Sequence, residues 1–103
     1  MKRYRVRFTP LANSQLQELY DHIATHGDPY TALGYVERIE QFCMEFGTFP
    51  ERGTRRDDIR PGLRIVGFER RVTVAFEVGP DEVRIISILY AGRQLPPEDG
   101  VPG

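Results

Sequence analysis

The chain has 103 residues, of which 40% are hydrophobic, 11% aromatic and 28% charged. That balance suits one globular domain on one core and excludes a disordered or fibrous chain. Fourteen basic residues against fifteen acidic ones leave a formal net charge of −1, but the charges are unevenly placed.

From Glu18 to Glu45 there are six acids and only Arg38 to oppose them, whereas from Glu51 to Arg71 seven arginines face four acids. If the two segments fold onto different faces, the domain has a basic side suited to an anionic partner. Thirteen of the fourteen basic residues are arginine; GC-rich coding or a use for planar, bidentate donors would each account for this. No apolar run approaches the ~20 residues of a membrane span and "MKRYRVRF" has no apolar segment of signal-peptide type, so a cytoplasmic protein is expected. The single Cys43 is compatible with a reducing compartment.

"RYRVRF" alternates strictly and reads as a half-buried strand with Tyr4, Val6 and Phe8 inward. Thr9-Pro10 supplies an N-cap and a proline at the first helical position. Leu16, Leu19, Tyr20 and Ile23 follow at helical spacing up to Gly27. Asp28-Pro29 repeats the start signal, and Ala32, Val36, Ile39, Cys43 and Phe46 form a second stripe closed by Gly47. So short a link makes an αα-hairpin. "ERGTRRDDIRPG" has no periodicity and reads as a loop. "LRIVGF", "RVTVAFEV" and "EVRIISILY" are three strands of an antiparallel meander. The last is apolar on both faces, which places it inside the sheet. Alternation along it groups Tyr90 with Arg84, Ile86 and Ile88. The expected architecture is α+β: a single domain over residues 1–95 in the order β-α-α-β-β-β, with the helical hairpin on an antiparallel curved sheet, and a flexible tail over 96–103.

Chemistry-bearing patterns are few. His22 and His26 lie one helical turn apart without a third ligand of matching placement, so no metal is expected. Cys43 sits on an apolar stripe and reads as core. The candidate contact residues are arginines near strand starts and ends, Arg56, Arg64, Arg71 and Arg93, together with Tyr90.

"FTPLANSQLQELYDHIA" and "GLRIVGFERRVTVAFEVGPDEVRIISILYAGRQ" resemble the RelE/ParE superfamily of toxins from bacterial toxin–antitoxin modules, in its ParE or plasmid-stabilisation branch. The resemblance runs from residue 4 to about residue 95. Thr9, Pro10 and Ala12, Gly62-Leu63-Arg64, and Ile88-Leu89-Tyr90 through Gly92-Arg93 carry it. It implies either a DNA gyrase inhibitor that is not an enzyme or, as the alternative, a ribosome-dependent mRNA endonuclease that uses no metal or cofactor. A binding member without toxicity is the third reading. Nucleases of the superfamily place an arginine early in the third strand, another after the last strand, and a tyrosine or histidine in the C-terminal segment. Here the first position aligns with Thr73 and the second with Arg93, while "QLPPEDGVPG" contains neither Tyr nor His. Arg71, two residues from Thr73, would share its face by alternation. The gyrase reading is therefore preferred, with no catalytic residues assigned. The implied partner is a cognate antitoxin with an acidic or amphipathic tail; a homodimer or a hetero-oligomer with that antitoxin is left open.

Overall fold

The computed structural model describes residues 2–90. Its elements are β1 (Arg5–Phe8), α1 (Pro10–His26), α2 (Pro29–Met44), a 3-10 turn (Glu45–Gly47), β2 (Thr54–Arg55), β3 (Leu63–Phe68), β4 (Val72–Val78) and β5 (Glu82–Tyr90). Tail residues 96–103 and Arg93 lie outside the described residues.

Both helix starts follow the capping chemistry. Thr9 Oγ1 accepts from the Ala12 amide and Asp28 from the Thr31 amide, in each case with proline next in the chain. The Thr31 contacts hold the Asp28 carboxyl below its ordinary range. Gly27 ends α1 by donating its amide to the Ile23 carbonyl. The second helix stops at Met44, earlier than Gly47, and tightens into the 3-10 turn that buries Phe46.

The α+β expectation is borne out, and the sheet differs from a pure meander at its two margins. Strand order is β1-β5-β4-β3-β2. β5, β4, β3 and β2 pair antiparallel, but β1 pairs parallel to β5, with Val6 beside Val83 and Phe8 beside Ile85. The sheet is thus mixed, and β5 is interior because it has a neighbour on each side. At the other margin the stretch expected to be a loop contributes β2, which pairs Thr54 with Ile65 and Arg55 with Arg64. Two exposed polar residues carry no alternation to read, and short, charged strands of this kind are what sheet edges tolerate.

The helices cover one face of the sheet. Leu16, Leu19, Ile39, Cys43 and Phe46 pack there on Val72, Val74, Phe76, Val83, Ile85 and Ile88. Cys43 is fully buried, and burial pushes its thiol up to about 12, so it is an inert core residue.

A β-bulge changes which residues share a face. Ala75 pairs with Ser87 while Phe76 pairs with Ile85, so Ile86 is the extra residue in β5. Alternation breaks there. Tyr90 and Ile88 pack on the helix side with Val83 and Ile85, and Arg84 falls on the opposite face, against the expectation from uninterrupted alternation. The first helix satisfies the backbone groups that the bulge frees. Thr9 Oγ1 donates to the Ile86 carbonyl at 2.9 Å, and Gln15 Oε1 accepts from the Ile88 amide at 2.6 Å and from the Ser87 hydroxyl at 3.1 Å. Gln15→Ala leaves the Ile88 amide unpaired in a part-buried place, which costs roughly 1–3 kcal/mol. Gln15→Glu, which keeps an acceptor, should cost less. A melting temperature for Gln15→Ala equal to the parent's would show that the bulge does not depend on this contact.

Candidate functional site

The candidate surface is built where α2 meets the margin of β3. The first helix lies along β5, and α2 packs mainly on α1. It reaches β3 through large side chains: the Tyr35 and Phe42 rings lie 6.2 and 4.9 Å from that of Phe68. A strip of half-buried residues, Phe42, Arg52, Arg64, Val66 and Phe68, is left open along this seam.

One end of the strip is cationic. Arg64 pairs in register with Phe76, which puts it on the helix side, and its Nη1 donates to the Arg52 carbonyl at 3.1 Å. The Arg52 guanidinium lies 4.9 Å above the Phe42 ring and 5.2 Å from that of Phe46, while Nη1 reaches Glu45 at 3.2 Å. Arg56 stays apart from the strip. Its amide bonds the Leu63 carbonyl, and its guanidinium forms a bidentate pair with Asp58 at 2.8 and 2.9 Å, holding the Asp58 carboxyl below its ordinary range.

The other end gathers Tyr90, Tyr35, His22 and the β3–β4 turn. The Tyr90 ring is 6.4 Å from Tyr35 in an edge arrangement and 6.0 Å from His22. Residues Glu69 to Arg71 join the strands, with Phe68 paired to Val72 and Val72 paired to Tyr90. Arg71 therefore lies in the turn that precedes β4 instead of in the strand. Thr73 lies on the face away from the helices, between Gly67 and Leu89. Because Arg71 lies outside β4, the strand alternation that would have put it on the face of Thr73 does not extend to it. Burial, followed by the negative charge of Glu69, raises the Tyr35 hydroxyl above its ordinary range.

That turn is strained. Glu69 and Arg70 adopt φ of 48° and 65°, a left-handed conformation costing a non-glycine residue about 1–2 kcal/mol. A bidentate pair from Arg38 on α2 to Glu69, at 3.0 and 3.2 Å, holds it. Arg38 also lies 5.2 Å over Tyr35. Its hydrogen bonds keep the Glu69 carboxyl below the ordinary range. A depressed folded-state value means that the pair stabilises the fold above the unfolded carboxyl's pKa and loses this as pH falls through the folded one. The melting temperature of the parent should therefore exceed that of Arg38→Gln at neutral pH and approach it below the ordinary carboxylate range of ~4. A difference between the two that stays constant through that range would separate the turn from the pair.

The strip unites Arg64, Arg71 and Tyr90 and leaves Arg56 out. It also contains residues that periodicity assigned only to the core or left aside: Phe42, Phe68, Tyr35, Arg52, Arg38 and Glu69. One signal was legible, since Arg38 is the only base in the acidic helical segment and stands three residues after Tyr35 and four before Phe42. The charge split is softened locally, because Arg52, Arg55, Arg56 and Arg60 pair with Glu45, Asp57, Asp58 and Glu77. Among the described residues no group of three His, Cys, Asp or Glu side chains could hold a metal, and no helix is long and apolar enough to cross a membrane.

The family model described as the ParE toxin of the type II toxin–antitoxin system parDE matches residues 6–95. A solved structure, the chromosomal ParDE toxin–antitoxin system from P. aeruginosa, superposes with a TM-score of 0.75 at 26% identity, covering 85% of this chain and 96% of that one. No curated protein matches. A family match over both helices and every strand but the first residue of β1 accounts for the fold just described, and the chain belongs to the ParE toxin family of type II toxin–antitoxin systems.

Proposed function

We propose that this toxin acts on DNA gyrase as an inhibitor and not as a nuclease, and that a cognate antitoxin neutralises it by laying an amphipathic, partly acidic tail along the α2–β3 strip. The observation that carries the first half is the position of Arg71. The superfamily's nucleases use an arginine early in the strand that begins here at Val72. This chain has Thr73 there, and Arg71 lies in the turn before the strand. Cleavage through the 2′-OH needs both an orienting base and cations around the crowded phosphate, and Thr73 supplies neither.

The strip supports the second half. Val66, Phe42 and Phe68 offer an apolar centre, and Arg52, Arg64 and Arg71 provide cationic ends. A disordered tail that folds on binding would anchor on the first group and be steered by the second. Arg93 joins the contact set through the family pattern alone. The action proposed is cytoplasmic, where gyrase works. Induced expression without antitoxin should raise DNA-damage signalling while bulk mRNA is still intact; loss of intact mRNA first would overturn the gyrase reading.

A further inference from the structure

We propose that the Glu69–Arg71 turn, with the rings beside it, is a docking point for an unpaired nucleic-acid strand, in which Arg70 and Arg71 meet successive phosphates and the His22–Tyr90 rings meet a base. The turn carries the inference. Glycine or asparagine adopts the left-handed conformation at little cost, yet Glu69 and Arg70 are held in it at φ 48° and 65°. Strain of this kind persists where the surroundings enforce it and where the side chains have a use. Glu69 has a visible one, its clamp onto Arg38. That clamp also ties up the carboxylate nearest the two arginines. Among the described residues Arg70 and Arg71 are exposed and have no ion pair, unlike Arg52, Arg55, Arg56 and Arg60.

Beside them stand rings in sequence. His22 is exposed, with its ring 4.5 Å from His26 and 6.0 Å from the half-buried Tyr90, which is itself paired in register with the residue after Arg71. The His26 Nδ1 donates to the His22 carbonyl at 2.9 Å, which fixes that ring against its own helix. Flat side chains next to unpaired arginines form the combination that binds single strands with little regard to sequence, the rings by stacking and the arginines by phosphate contact. The inference deepens the gyrase reading, since an inhibitor of an enzyme caught on cut DNA meets strand ends, and its test omits gyrase so that either can fail alone.

The probe is a fluorescein-labelled oligothymidylate, with its duplex and polyglutamate as competitors, read by anisotropy on the full chain. Two arginine contacts predict a log–log salt slope of about −1.4, which is about a sevenfold loss of affinity between about 50 and about 200 mM salt. Arg70→Gly should raise the melting temperature by relieving strain, yet weaken binding about tenfold and bring the slope to about −0.7. Arg71→Gln should weaken binding to a similar degree. His22→Ala should lower affinity with the slope unchanged. Arg55→Gln removes the same charge from beside the start of β3, at the opposite end of that strand from the turn, and should leave binding within about twofold of the parent. The proposal is overturned if the parent does not bind the oligonucleotide at low salt, if Arg55→Gln matches Arg70→Gly, or if polyglutamate competes as well as unlabelled oligothymidylate.

Discussion

Phe46→Ala is expected to lower stability by roughly 3–5 kcal/mol, a large share of the ~5–15 kcal/mol that holds a domain of this size together. Phe46 is fully buried in the 3-10 turn after α2, and its ring lies 4.6 Å from Phe76 and 5.2 Å from Phe42. It joins the end of the helical hairpin to β4, so truncation opens a cavity that the turn's short backbone closes poorly. The Arg52 guanidinium, 5.2 Å from the same ring, loses part of its support as well. At ~4–8 °C per kcal/mol the melting temperature should fall by roughly 12–40 °C. Phe46→Leu, which refills most of the volume, should recover more than half of the loss. A drop of a few degrees for Phe46→Ala would mean that the turn repacks and is not a joint of the core.

Gly53→Ala should cost roughly 2–4 kcal/mol and detach β2 from the sheet. Gly53 has φ +70°, and a Cβ there would sit 2.0 Å from the Ile65 carbonyl oxygen and 2.9 Å from the Val66 Cβ. Both the left-handed backbone and the contact with β3 demand glycine, and the backbone must move before any side chain fits. Moving it pulls the neighbouring Arg52 carbonyl away from Arg64, so the cationic end of the strip is lost with the strand. Gly62 separates the two causes. Its φ is +82° with nothing within 4 Å of a Cβ, so Gly62→Ala should show only the conformational cost of about 1 kcal/mol. Equal losses at the two glycines would show that backbone conformation, not the close approach, dominates at Gly53.

The elements with strong local signals were legible. Thr9-Pro10 and Asp28-Pro29 announce both helices through capping atoms that the structure shows in use. The three long strands are found where their apolar runs predict them, although β5 does not keep its alternation past the bulge. What was not legible depends on partners remote in sequence. The parallel pairing of β1 with β5 joins opposite ends of the chain. The bulge at Ile86 exists because Thr9 and Gln15 supply its hydrogen bonds, and an apolar run such as Ile85-Ile86 has no mark that separates pleat from bulge. That one extra residue decides the face of Tyr90, and so which of the candidate residues can act together. The same holds for Arg71, which a left-handed turn at residues that seldom adopt one leaves outside β4.

The central claim, that this ParE family toxin acts on gyrase and does not cut RNA, is tested most directly with purified protein in two parallel assays. One follows supercoiling of relaxed plasmid by gyrase, and the other follows mRNA on translating ribosomes. The account predicts dose-dependent loss of supercoiling or trapped cleaved DNA, reversed by the cognate antitoxin, with mRNA left intact. Codon-dependent cuts in the ribosomal A site, with gyrase running at its full rate, would contradict it.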